Sequence, residues 1–110
     1  MTTKEEQKQI AVTILAQLGG RRFMAMTGSK NMLYDANWLR MDLAKNKSGA
    51  NQLRITLQDN DTYKMEFYRF TLNRKTFDYK ITEKANFEGI YADQLQSIFT
   101  EVTGMYTRLY

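Results

Sequence analysis

The sequence predicts an α+β domain, with an N-terminal helix, a meander of about five antiparallel strands and a C-terminal helix, both helices packed on one face of the sheet. Two observations carry this. Apolar residues recur at helical spacing up to Leu18 and again from Ile90, whereas between Arg21 and about Phe87 they alternate with polar ones. The connections within that middle region, "KNKSGAN", "DND" and "LNR", are short and polar, as hairpin loops are. With 110 residues the chain forms a single domain, residues 1–110, large enough for one core and too small for two.

The first helix is expected from about Thr3 to Leu18, because Ile10, Ala11, Ile14, Leu15 and Leu18 fall on one helical face. Thr3 and Glu6 have the spacing of a capping box, and Gly19-Gly20 supplies a stop. Strands follow at Arg21 to Thr27, about Asn37 to Ala44, about Gln52 to Gln58, about Thr62 to Thr71 and about Lys75 to Thr82, where side chains alternate with a period of two. The second helix runs from about Ile90 to Thr103, since Tyr91, Leu95, Ile98, Phe99 and Val102 return to offsets of three and four and Gly104 stands beyond them. Met105, Tyr106 and Leu109 are expected to anchor the C-terminal tail.

Strand parity divides the sheet into two faces. Leu39, Met41 and Leu43, then Leu53, Ile55 and Leu57, then Met65 and Phe67, then Phe77, Tyr79 and Ile81 form the expected core face. The opposite parity holds Trp38, Arg40 and Asp42, then Arg54 and Thr56, then Lys64, Glu66 and Tyr68, then Asp78 and Lys80. Two helices cover one face of five strands, which leaves the second face open.

Composition excludes more than it assigns. The chain contains neither Cys nor His, which removes disulfides, thiolate chemistry, the usual zinc and transition-metal ligands and the Ser-His and Cys-His nucleophile pairs. Catalysis would rest on carboxylates, Lys or Tyr, and Asp59 and Asp61 in "DND" are accounted for by turn hydrogen bonding. That segment also lacks the twelve-residue span, Gly and distal Glu of a calcium loop. The reading is therefore of a non-enzyme with no metal and no cofactor. No apolar run approaches the ~18 residues of a membrane span, and the start lacks the basic and apolar regions of a signal peptide. A cytoplasmic protein with no membrane association is expected. A net charge of +4 tilts weakly toward nucleic acid or an acidic protein as partner.

The stretch "AMTGSKN", Ala25 to Asn31, invites comparison with a phosphate-binding loop. A Walker A loop needs G-x-x-x-x-G-K-[ST] leading into a helix. Here Phe23 stands in place of the first Gly, Ser29 separates Gly28 from Lys30, and Asn31 replaces the hydroxyl residue. Gly28 is better read as a turn residue with positive φ. A shallow anion nest of Thr27, Ser29 and Lys30 is the remaining phosphate-binding option.

The open face offers the main candidate site. Trp38 and Tyr68 with Arg40, Arg54, Lys64 and Lys80 combine planar groups with cations, as surfaces for single-stranded nucleic acid do. Asp42, Glu66 and Asp78 share that parity and could pair with the cations as in any solvated sheet. The alternative is a protein partner, with the seven Met residues as adaptable packing or contact groups. The unpaired edges of the sheet, in a chain without Pro, also allow a homodimer through an edge strand.

The strings "LGGRRFMAMTGSKN", "DTYKMEF" and "GIYADQLQSIFTEVTGMYTRL" resemble a family of small uncharacterised proteins of phages and mobile elements. The tail carries the most specific part, Gly89, Tyr91, Ala92, Asp93, Gln94 and Leu95, then Phe99, Thr100, Glu101, Thr103 and Gly104. Ser29 and the basic stretch "FTLNRKTFDYKITEKANF" stand apart from the commoner pattern. The resemblance implies an accessory protein of a phage or mobile element that works by binding, and it brings no catalytic residue.

Overall fold

The computed structural model describes residues 3–107. Helix α1 (Lys4–Leu18) is followed directly by a short helix α2 (Gly20–Thr27). Then come strands β1 (Lys30–Asp35), β2 (Trp38–Asp42), β3 (Gln52–Leu57), β4 (Tyr63–Leu72) and β5 (Tyr79–Ile90), a 3-10 turn (Ala92–Gln94) and helix α3 (Leu95–Thr103). The five strands form one antiparallel sheet in sequence order, so the meander and the α+β class are as expected.

Helix α1 begins where the sequence places it. The Thr3 hydroxyl accepts a hydrogen bond from the Glu6 N–H at 3.1 Å and donates to the Glu6 carboxylate at 3.2 Å, satisfying one of the donors a helix start leaves unpaired. Ala11, Ile14 and Leu18 turn inward. Gly19, with φ 122°, closes the helix by donating to the Ala16 and Leu15 carbonyls, and the same residue starts α2.

That second helix replaces the strand expected over Arg21 to Thr27. The alternation of "RRFMAMT" suits a strand, but the same residues put Phe23 and Thr27 one helical turn apart, and both are buried. Tertiary packing decides: the Phe23 ring meets Phe99 of α3 edge-on, with centroids 4.9 Å apart at 71°. A strand in this segment would have pointed Phe23 and Met24 to opposite sides. Its place in the sheet is taken by β1, a segment the sequence leaves as a loop because Met32 is its one partly covered position. The β1–β2 hairpin closes over Ala36 and Asn37, with Ala36 at φ 43° and the Asp35 carboxylate accepting from its N–H.

The core lies between the helices and one sheet face. Leu39, Met41, Leu43, Leu53, Ile55, Met65 and Phe67 are buried there and Leu57 partly so, as alternation predicts. Phe67 reaches Phe99 at a centroid distance of 6.3 Å, which ties the fourth strand to the C-terminal helix.

The fifth strand departs from expectation. It spans Tyr79–Ile90 instead of Lys75 to Thr82, and residues 73–78 form the turn, held by hydrogen bonds from Asn73 N–H to the Asp78 carbonyl and from Phe77 N–H to the Asn73 carbonyl. Phe77, Tyr79 and Ile81, expected in the core, are 79%, 66% and 57% exposed. Phe77 lies in the turn, at φ 60°, and for Tyr79 and Ile81 a β-bulge is the reason. Phe67 pairs with Ala85 but Tyr68 pairs with Glu83, so Lys84 is an extra residue and every side chain before it changes face. Ala85, Phe87 and Ile90 supply the core instead. A second register shift lies between the Ile90 and Phe87 pairings, where Gly89 adopts φ 66°.

The C-terminal helix also starts later than expected. Tyr91 is extended, at φ −82° and ψ 155°, and 63% exposed, while its N–H donates to the Gln94 side chain at 2.9 Å. Leu95, Phe99 and Thr103 form the buried stripe, and Gly104 at φ 76° caps the end. In the tail Met105 packs on the core but Tyr106 is 71% exposed, so it is no anchor; Leu109 lies outside the described residues.

Candidate ligand-binding face of the sheet

Opposite the helices, the strand register builds rows of side chains. Trp38, Thr56 and Lys64 make one row, Arg40, Arg54 and Glu66 the next, and Asp42, Gln52, Tyr68 and Glu83 the third. Beyond them Phe70 stands beside Ile81, and Leu72 beside Tyr79, on the same side. Between the second row and Phe70 lies a cleft of about 530 Å³, lined by Arg40, Gln52, Arg54, Glu66, Tyr68, Phe70, Ile81 and Glu83.

Two features shape this cleft. The Lys84 bulge turns Ile81 and Glu83 into it, which strict alternation would have sent to the other face. Asn51 fixes its far end: its side-chain amide donates to the Phe70 carbonyl and accepts from the Phe70 N–H, both at 2.8 Å. One side chain thereby continues the ladder of β4 where β3 has stopped.

Of the six residues singled out on this face by the sequence, five are on it. Arg40, Arg54 and Tyr68 line the cleft and Trp38 borders it, its ring covered by the Arg54 guanidinium at 5.2 Å from the ring centroid. Lys64 lies nearby but is paired with Glu88 at 3.6 Å, an exposed contact worth little. Lys80 is not on this face, because the bulge places it beside Thr71 on the opposite side. Tyr68 is only 9% exposed, so it forms the cleft floor and not a free stacking platform. Gln52, Phe70, Ile81 and Glu83 are lining residues that the alternation argument omits, and the unpaired Lys84 is the one position whose recognition would have revealed the last two.

The charge arrangement is uneven. Arg40 lies directly opposite Arg54 in the β2–β3 register, and like charges at such positions repel. Among the described residues the ion pair within 4.0 Å is Lys64 with Glu88, so neither arginine is neutralised by a salt bridge. The Nε of Arg54 is also buried without a hydrogen-bond partner, an arrangement that costs free energy unless a ligand or water completes it. Asp42 is engaged by the amides of Asn31 at 2.8 Å and Gln52 at 3.2 Å. The acids Glu66 and Glu83 stay in the cleft as hydrogen-bond acceptors.

The nest expected from Thr27, Ser29 and Lys30 does not form. Gly28 has the positive φ foreseen, 69°, but as the C-cap of α2, and no helix N-terminus faces it. The Thr27 and Ser29 side chains are buried; the Thr27 hydroxyl donates to the Phe23 carbonyl and accepts from the Ser29 hydroxyl, both at 2.7 Å. Lys30 is exposed at the start of β1.

Elsewhere, Tyr63 closes the core under α1 and lines a smaller hollow of about 330 Å³ with Glu6, Gln9, Ile10, Thr13 and Leu57. Burial pushes its hydroxyl pKa above the ordinary 10.0; a hydrogen bond from the Gln17 side chain pulls it down, and the nearby Asp61 carboxylate pushes it up further. Among the described residues no group of three or more Asp or Glu side chains is placed to hold a metal ion, and no helix is long and apolar enough to cross a membrane. Against known proteins, the chain matches no family model, no curated protein and no solved structure.

Proposed function

We propose that this chain is a non-enzymatic binding module whose open sheet face takes single-stranded nucleic acid, with Arg40, Arg54 and Trp38 as its principal contacts. The observation that carries this reading is the Arg40–Arg54 opposition: two arginines are cross-strand partners, neither has a carboxylate within 4.0 Å among the described residues, and the Arg54 guanidinium lies over the ring of the only tryptophan. Such a pair suits a phosphate, which accepts bidentate hydrogen bonds from Arg. The acceptors Glu66 and Glu83 and the amide of Gln52 suit the edges of unpaired bases, whose amino and imino groups are donors. A duplex hides those edges, so the cleft favours a single strand. The accessory role in a phage or mobile element rests on the sequence resemblance alone.

The test is fluorescence anisotropy with a labelled 20-nucleotide single strand and the Arg40→Gln, Arg54→Gln double variant. Loss of at least tenfold in affinity with the fold retained is expected; unchanged affinity would remove this face from consideration. A second reading, a protein partner, is favoured by the exposed apolar row Leu72, Tyr79 and Ile81 beside Phe70. Under that reading Leu72→Ser with Ile81→Ser abolishes capture of a stoichiometric protein from nuclease-treated lysate, while the arginine variants retain it.

A further inference from the structure

The β4–β5 ribbon projects beyond the rest of the sheet. Pairing of β3 with β4 ends at Gln52 and Tyr68, whereas β4 and β5 remain paired to Leu72 and Tyr79. The projecting part is a two-stranded arm with contrasting sides. One side carries Phe70, Leu72, Tyr79 and Ile81; the other carries Arg69, Thr71, Lys80 and Thr82.

Cations gather on the second side. Arg69 donates from Nη1 to the Gly49 carbonyl at 3.1 Å, which sets it against the loop between β2 and β3. Lys84, the bulge residue, lies against the same glycine, its Cε and Nζ 3.6 and 3.8 Å from where a Gly49 Cβ would stand. Lys45 and Arg69 line a hollow of about 400 Å³ with Asn46, Gly49 and Asn51. Lys80 continues the row along the arm, and Arg74 and Lys75 follow at its exposed tip. None of these cations has a carboxylate within 4.0 Å among the described residues. Of the acids in the arm, Glu83 points into the cleft on the other side and Asp78 sits in the turn. Much of the positive charge behind the chain's net +4 therefore gathers on this side of the arm.

We infer that the basic side of this arm is a binding surface for the phosphate backbone of double-stranded nucleic acid. Cations spread along a ribbon, with threonine hydroxyls between them, match a row of phosphates, and a two-stranded ribbon has the width that a major groove of about 12 Å admits. An anionic membrane is the other polyanion such a surface could meet. A bilayer would need apolar groups beside the cations, whereas here Leu72, Tyr79 and Ile81 face away from them, toward the carboxylates of Glu66 and Glu83. This surface lies across the sheet from Arg40 and Arg54, and the inference does not depend on the single-strand reading.

The experiment is a salt titration of a labelled, blunt 20-base-pair duplex against the full chain, compared with Arg69→Gln, Lys80→Gln, Lys84→Gln in one variant and with Arg40→Gln, Arg54→Gln in another. Far-ultraviolet circular dichroism checks the fold, and Lys80→Glu alone serves if the triple variant is not folded. The wild type should bind with an affinity that falls steeply with salt, the triple variant should lose at least tenfold with a log-log slope shallower by about 2.7, at roughly 0.9 per phosphate contact, and the cleft variant should stay within about twofold of wild type. Absence of duplex binding by the folded wild type, equal binding by the triple variant, or binding to phosphatidylserine vesicles in place of the duplex would each overturn it. Failure of single-strand binding would leave this result standing, so the two surfaces are judged separately.

Discussion

Replacing Arg54 by Gln should leave the protein about as stable as before and cripple its binding. The stability half follows from the contacts of Arg54, the binding half from the role proposed for its guanidinium. On the stability side, the substitution forfeits a cation–π contact with Trp38, about 0.5–1 kcal/mol for a partly exposed site, and an attraction to Glu66 across the β3–β4 ladder, about 0.2–1 kcal/mol. It gains relief from the opposed Arg40, of similar size, and removes the buried, unpartnered Nε, whose isolation costs about 1 kcal/mol or more. These contributions nearly cancel, so the unfolding free energy should change by less than about 1 kcal/mol, or within roughly 5 °C in Tm for a chain of this size. On the binding side, a charge-assisted hydrogen bond to phosphate is worth about 1.5–3 kcal/mol, which is a loss of roughly 10- to 150-fold in Kd. Urea unfolding and anisotropy on the same preparations measure the two effects. A variant destabilised by more than about 3 kcal/mol would show that Arg54 is a structural residue, and a folded variant with wild-type Kd would show that the guanidinium touches no ligand.

Further outcomes follow from the packing. Phe99→Ala should cost about 3–5 kcal/mol in urea unfolding, because the fully buried ring bridges Phe23 and Phe67; a loss below 1 kcal/mol would mean the helices are not packed through it. Gly28→Ala should cost about 1–2 kcal/mol, since φ is 69° and the new Cβ would stand 3.1 Å from that of Ala44. Tyr63 makes stability depend on alkali: its folded pKa is raised by burial above 10.0, so its contribution is intact below about pH 10 and declines as pH rises through the folded pKa. Tyr63→Phe, which cannot ionise, should therefore lose less stability than wild type as the pH is raised above 10.0; parallel curves would contradict the assignment.

The parts of the fold legible in the sequence are those in which local pattern and tertiary environment agree. Alternation in β2, β3 and the first half of β4 names Leu39, Met41, Leu53, Ile55, Met65 and Phe67 as core, and the Thr3 and Gly104 ends of the helices are marked by residues with the right capping chemistry. Two kinds of information were hidden. Residues 21–27 fit either period, and only the docking of Phe23 on Phe99, 76 positions away in the chain, decides for a helix. The bulge at Lys84 leaves no composition signal, yet it inverts the faces of Tyr79, Ile81 and Lys80 and so completes the cleft and the basic side of the arm in one step. Arg40, Arg54 and Trp38 were readable as neighbours on one face because the β2–β3 pairing that joins them is continuous; the placement of Ile81 and Glu83 and the approach of Arg69 and Lys84 to Gly49 were not.

The most direct test of the central claim uses Trp38, the only tryptophan in the chain, which lies under Arg54 beside the cleft. Its emission should be titrated with a 20-nucleotide single strand at 50 and 200 mM salt. The open-face account predicts saturable quenching by the single strand, weaker at the higher salt, and its loss in Arg40→Gln, Arg54→Gln. An emission unchanged across the titration at both salts, in a protein shown to be folded, would contradict it.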